Sequence, residues 1–278
     1  MTTPAPTPTA AELLRKVQSA YASDASQSTF NALIYGVAGT GKTNILRTCP
    51  RPVLLHSFDP GGSKTVRDLV DEKTFFVDSS FEHEDRERPS AFDLWLKTVR
   101  ELEKANVFDK LGTFCIDSFT TFSQALQNAV LRGVKRTAGA PLQLFGKTLL
   151  MPEIRDYQII TMQMRDIIKE CAAKGCHFLL TAHETLDKDE ATGSVLSSMA
   201  ATPSLRAMLP TVFDEVYRAE IERTSAGLNY RLLTRNTGVY LARTRIGNNG
   251  VFNTYEPQDI RSLLKRAGLP SDDKPPIE

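Results

Sequence analysis

Apolar residues in this chain follow two rhythms. Short continuous apolar runs recur over residues 30–36, 52–59, 74–78, 112–117 and 176–182. Runs this brief, closed by Gly, Pro or an acid, predict buried strands. Between them the apolar positions fall three and four apart. After Ser90 come Phe92, Trp95, Leu96, Val99 and Leu102; then Phe119, Phe122, Leu126 and Val130 up to Gly133; then Tyr157, Ile160, Met164, Ile167 and Cys171. That spacing puts each set on one helix face, with core packing as its purpose. Ser90 and Asp93 read as a capping box. A shorter helix is predicted over residues 10–22, with Leu13, Leu14 and Val17 on one side. Strands alternating with helices predict an α/β domain built on a mostly parallel sheet covered by helices on both faces.

From residue 213 the pattern changes to alternation over 213–223, 228–236 and 239–245, joined by Gly-containing turns. Antiparallel strands toward the C-terminus are predicted there. Residues 256–267 predict a closing helix, with Gly268 and Pro270 as stop signals. The expected organisation is a disordered Pro/Thr tail over 1–9, a helix and polar connector over 10–29, one domain over 30–270, and a loose tail over 271–278. The mixed-sign run 82–88 reads as a solvated loop.

Composition narrows the classes. With 41% hydrophobic and 24% charged residues the chain is ordinary for a globular domain, and 278 residues suit one large α/β unit. A net charge of +1 excludes a generally polybasic protein, so any nucleic-acid contact must come from local patches. No apolar run approaches the roughly 20 residues needed to span a bilayer. With no signal-peptide pattern, a cytoplasmic protein without a membrane partner is expected. Cys49, Cys115, Cys171 and Cys176 form no C-x-x-C pair, which predicts buried reduced thiols rather than zinc or disulfides.

The candidate chemistry centres on Gly36-Val-Ala-Gly39-Thr40-Gly41-Lys42-Thr43, which fits G-x-x-x-x-G-K-[ST]. The glycines let the backbone take positive φ and approach a phosphate chain without Cβ clashes. The N–H groups of the turn and of the following helix start then form a positively polarised cradle. Lys42 would reach the β- and γ-phosphates, and the Thr43 hydroxyl would ligate Mg²⁺. By chance such a pattern arises in roughly one in a hundred chains of this length. Here a strand-like run precedes it, and residues 44–48 can continue a helix until Pro50. ATP with Mg²⁺ is the implied cofactor pair.

Asp117, ending its predicted strand, fits the carboxylate that holds the Mg²⁺ shell. Ser118 follows it where many AAA-type motors place a catalytic Glu. The water-activating carboxylate must therefore come from elsewhere, and Asp59 and Glu184 both end neighbouring strands.

These residues together resemble the RecA-like recombinase core: a P-loop strand, a strand ending in an acid, Ile116-Asp117-Ser118, and a strand ending in a polar residue. More narrowly, the chain resembles the bacteriophage nucleotide-binding proteins that reduce that core to one domain, including the phage single-strand-annealing ATPases. The run Leu179-Leu-Thr-Ala-His183-Glu184, followed by Phe213-Asp-Glu-Val216, is similar to their pattern. The resemblance covers roughly residues 30–268. It implies that Asp59 replaces the Glu that orients the attacking water, one methylene shorter. It implies that His183 stands where a Gln senses the γ-phosphate. Arg243 and Arg245 resemble the paired basic residues that reach across a subunit interface into the next subunit's ATP. Self-assembly into a ring or filament, single-stranded DNA and a single-strand-binding protein are the partners the resemblance implies.

Between Asp117 and Glu153 the chain carries no acid, while Arg132, Lys135, Arg136 and Lys147 supply positive charge. Such a segment suits a phosphate backbone, and in RecA-like folds the loop in this position holds single-stranded DNA. A second loop is expected over residues 185–203. Three functions stay open on the sequence: a DNA-dependent ATPase assisting recombination or annealing, an ATP-binding regulator that hydrolyses little, and a small-molecule kinase. The last would need an acceptor pocket and an Arg-rich lid.

Overall fold

The predicted strands meet in one sheet in the computed structural model, which describes residues 8–133, 142–144, 147–188, 193, 195–225 and 227–278. In chain order the strands are β1 Asn31–Gly36, β2 Val53–Ser57, β3 Phe75–Asp78, β4 Thr113–Asp117, β5 Leu142–Leu144, β6 Lys147–Leu149, β7 His177–Lys188, β8 Val195–Met199, β9 Glu215–Thr224, β10 Gly227–Leu233, β11 Arg243–Thr244 and β12 Tyr255–Pro257. The sheet runs β3-β2-β4-β7-β1-β9-β10-β12. From β3 to β9 every neighbour pair is parallel; β10 and β12 add antiparallel strands at one edge. The structure thus has the α/β architecture with a mostly parallel sheet that the sequence predicts. β9 is antiparallel to β10 and β11, as the alternation predicts, and on its other side it joins the parallel set beside β1.

Helices α1 Ala10–Ala22, α2 Ala91–Lys104, α3 Val107–Lys110, α4 Phe119–Gly133, α5 Ile154–Ala172, α6 Pro203–Val212 and α7 Ile260–Ala267 complete the chain. Alternation along β1 explains the two cores. Leu33 and Tyr35 face a layer formed by α2, α4, α5 and α6; Ala32 and Ile34 face Ile45, Leu46 and α7. Trp95 lies at the centre of the first layer, its ring edge-on to Phe122 at 4.6 Å between centroids, its indole N–H donating to His56 Nδ1 at 3.0 Å. Each such fully buried large side chain contributes on the order of 1.5–3 kcal/mol. Among the described residues no helix is long and apolar enough to cross a membrane, and all four cysteines are buried free thiols.

Several expectations need correction. Residues 44–48 form a 3-10 turn rather than an α-helix, because Pro50 and Pro52 follow at once and the chain must enter β2 at Val53. Ser90 makes no side-chain cap; the Glu84 carboxylate accepts from the Ala91 N–H at 3.0 Å instead. Within the supposed solvated run, Glu82 is buried. Tyr157 is exposed at 38%, off the buried face of α5. The 185–203 stretch, expected as an open loop, pairs β7 with β8 as an antiparallel hairpin and then starts α6. The loose tail is tied down: Lys274 N–H donates to Arg51 O at 2.7 Å and Ile277 N–H to Lys73 O at 3.0 Å. Of the expected N-terminal tail, residues 1–7 lie outside the described residues, and Thr9 caps α1 in a capping box with Glu12.

Candidate nucleotide site

β1 delivers the chain into the glycine loop at Gly36, where β9 runs close alongside. A Cβ at Gly36 would stand 2.5 Å from the Ala219 carbonyl oxygen, so no larger residue fits without backbone movement. Gly39 and Gly41 take φ of +83° and +85°, conformations that favour glycine. Beyond the loop, Gln258 ties it to the β10–β12 edge. Its amide donates to Thr40 O at 2.8 Å, and its Oε1 fills the space where a Gly41 Cβ would be. Thr40 is buried, its hydroxyl donating to Val37 O at 2.8 Å. Lys42 folds into the loop, and its ammonium donates to the Gly36 and Val37 carbonyls at 2.9 Å each. Burial lowers the Lys42 pKa, opposed by the carboxylates of Asp117, Asp59 and Glu184.

Although β7 separates β4 from β1, the carboxylate ending β4 still reaches the loop. Thr43 Oγ1 donates to Asp117 Oδ2 at 2.5 Å, and the Thr181 hydroxyl, on the intervening strand, donates to Asp117 Oδ1. Asp117 is 2% exposed, and burial raises its pKa against those two hydrogen bonds. A hydroxyl and a carboxylate at contact distance form a hard-oxygen pair of the kind Mg²⁺ takes. Among the described residues no cluster of three or more His, Cys, Asp or Glu could hold a metal unaided. The glycine cradle, Lys42 and this pair together suit a magnesium-bound triphosphate.

Asp59 follows β2, and its two oxygens are fully engaged. Oδ1 accepts from Ser118 Oγ at 2.7 Å and from the Thr121 hydroxyl; Oδ2 lies 3.0 Å from His183 Nε2. Burial pushes the Asp59 carboxyl up, but the hydrogen bonds from His183, Thr121 and Ser118 outweigh it and hold the pKa below its usual value. The bond to Asp59 raises the His183 pKa against partial burial. His183 is level with Gly36 in the β1–β7 register, at the carboxyl edge where the loop departs. Glu184, the next residue, is set differently. Arg218 Nε donates to its Oε1 at 2.9 Å, as does the Ser197 hydroxyl, while Oε2 is buried without a partner.

The structure brings Gly36, Gly39, Thr40, Gly41, Lys42, Thr43, Asp59, Asp117, His183 and Glu184 to one end of the sheet. Arg243 and Arg245 lie elsewhere. β11 pairs Arg243 with Val216, and β9 enters the sheet with Glu215 level with Ala32, so both arginines sit at the amino-terminal edge of the parallel strands. Arg243 donates to the carbonyls of Pro210 and Phe213; Arg245 binds Asp214 Oδ1 at 3.0 Å and Thr211 O at 3.2 Å. They brace the junction of α6 and β9 within this chain. Arg132 closes α4 and donates to Arg86 O at 3.3 Å. Lys135 and Arg136 lie outside the described residues, as does the Lys147 side chain. Thr181, Ser118, Thr121 and Gln258 complete the site without any motif to announce them. An odd density of hydroxyls after Asp117, in Ser118-Phe-Thr-Thr121, was the one sequence signal available.

A glycine cradle with its lysine, and a threonine joined to a strand-end carboxylate, define a P-loop nucleotide site. The chain belongs to the AAA domain family, whose sequence model matches residues 29–246. No curated protein matches it. Among solved structures it is similar to the KaiC-like protein PH0186 from the hyperthermophilic archaeon Pyrococcus horikoshii OT3, at 14% identity over 78% of this chain and 82% of that one, with a TM-score of 0.37.

Proposed function

We propose that this protein binds ATP with Mg²⁺ in the 36–43 cradle and hydrolyses it slowly while acting on single-stranded DNA, in recombination or strand annealing of the bacteriophage kind its motifs resemble. The observation that carries the nucleotide half is the Thr43–Asp117 contact beside Lys42. In this reading the Lys42 ammonium would exchange the Gly36 and Val37 carbonyls for phosphate oxygens, and Thr43 and Asp117 would hold the metal. Bound Mg²⁺ would neutralise charge building on the β- and γ-phosphate oxygens. Asp59 orients the attacking water and accepts its proton, and His183 stabilises the carboxylate it faces. The geometry favours Asp59 over Glu184 for this role, because the Asp59 side chain is 22% exposed and can meet water, while that of Glu184 is 4% exposed and ion-paired to Arg218. The DNA half rests on the acid-free basic segment between Asp117 and Glu153. Assembly into a ring or filament, a single-strand-binding partner and a cytoplasmic setting belong to the same reading.

One observation favours the regulator that hydrolyses little. Both Asp59 oxygens are already occupied and its pKa is lowered, which makes it a weaker base. ATP turnover with and without single-stranded DNA, alongside electron microscopy, separates the two. Turnover stimulated by DNA and abolished by Lys42→Ala supports the DNA-dependent ATPase. ATP binding with no DNA effect and no assembly supports the regulator.

A further inference from the structure

The turn that carries Asp59 is held by one buried carboxylate from a distant loop. Glu82 Oε1 accepts from Ser57 Oγ at 2.7 Å and from the Ser63 N–H at 2.9 Å; Oε2 accepts from the Gly61 N–H at 2.8 Å. Its neighbours His83, Asp85, Arg86, Glu87 and Arg88 are all exposed, yet Glu82 is 9% exposed. A carboxylate removed from water needs donors to offset desolvation, and here all three donors belong to the segment from the end of β2 through the turn.

What that segment places is the chemistry. Gly61 takes φ of +74°, the Gly62 N–H closes the turn on Asp59 O at 2.8 Å, and a Cβ at Gly62 would lie 3.3 Å from Asp59 Cβ and 3.9 Å from Asp117 Oδ2. The turn therefore fits between the water-orienting acid and the metal-holding acid. Phe58, Pro60 and Glu82 line an open cavity of about 610 Å³ together with Thr121 and Gln124. Beside that space, side-chain hydrogen bonds hold the turn. Ser118 and Thr121 hold the Asp59 side chain, and Glu82 holds the backbone that presents it.

We propose that Glu82 is a positioning residue for ATP hydrolysis, clamping the Gly61 and Ser63 amides so that Asp59 stays paired with His183 beside Asp117. This rests on the hydrolytic reading above. The test compares the full chain with Glu82→Gln and Glu82→Asp in three measurements: amide hydrogen exchange at Gly61 and Ser63 without nucleotide, steady-state ATP turnover, and thermal melting. Exchange at those two amides should quicken at least about tenfold in both variants. Turnover should fall about tenfold, with KM for ATP within about twofold of wild type and the melting temperature within a few degrees. Quickened exchange with unchanged turnover overturns the proposal. So does a joint collapse of KM, turnover and melting temperature, which marks a merely structural residue. A wild-type protein that binds ATP without hydrolysing it removes the hydrolytic reading itself. That result is distinguishable, because the exchange measurement needs no activity.

Discussion

Asp59 and Glu184 both lie close enough to influence Lys42, yet their surroundings give them different work. Asp59 keeps a 22% exposed side chain and faces a histidine; Glu184 is 4% exposed and bonded to an arginine that also pairs with Glu220. Asp59→Asn should cut phosphate release about a hundredfold, the lower range for a lost general base, with ATP binding kept. Glu184→Gln should instead lower stability by on the order of 1–3 kcal/mol, as a charge-assisted buried bond is weakened. Phosphate-release assays and thermal melts on both variants decide between the roles. The Asp59–His183 pair also has a pH signature. The lowered Asp59 pKa contributes stability that is complete above the ordinary aspartate value of about 4 and is lost as pH falls through the folded value. The raised His183 pKa contributes stability that is complete below the ordinary histidine value of about 6.5 and is lost as pH rises through the folded one. The melting difference between wild type and His183→Asn should therefore be largest between about pH 4 and 6.5 and shrink on either side. At this scale Lys42, Thr43 and Asp117 are legible in the sequence because the phosphate loop is a local pattern. Thr181, Thr121 and Glu82 are not, since their partners lie far along the chain, on other strands and turns.

Among the elements, the glycine loop shows most plainly how neighbouring strands dictate a residue type. Gly36 is required less by its own conformation than by the Ala219 carbonyl beside it. Gly36→Ala should force the β1–β9 edge apart, costing about 1–3 kcal/mol by overpacking and weakening ATP binding. Thermal melting and a nucleotide titration check both, and a variant with unchanged stability would show that the edge yields freely. Helices α4 and α5 are legible because long amphipathic periods survive without tertiary help. The β7–β8 hairpin is not, because its strands are half exposed and polar. Register with a neighbour, rather than alternation, makes them strands. The helix after the loop is misread for the opposite reason: two prolines cut short a segment whose motif normally opens a long helix. Helix α1 forms where its period predicts, yet none of its residues is buried.

On the scale of the whole molecule, the alternation of apolar runs and helical periods predicts the parallel sheet and its two helical layers. It does not reveal that β7 slides between β1 and β4, leaving Thr181 to bridge the gap to Asp117. That order is set by which edges pack, and no local pattern encodes it. The proposed function depends on the carboxyl edge of this sheet gripping a magnesium-bound triphosphate. Isothermal titration of the nucleotide-free protein with ATP and Mg²⁺ tests that most directly. Wild type should bind with an affinity between roughly 1 μM and 1 mM, the usual span for enzyme substrates. Lys42→Ala should weaken binding at least about tenfold, and chelating Mg²⁺ should weaken it as well. No heat of binding for wild type, or equal binding by Lys42→Ala, would contradict the account.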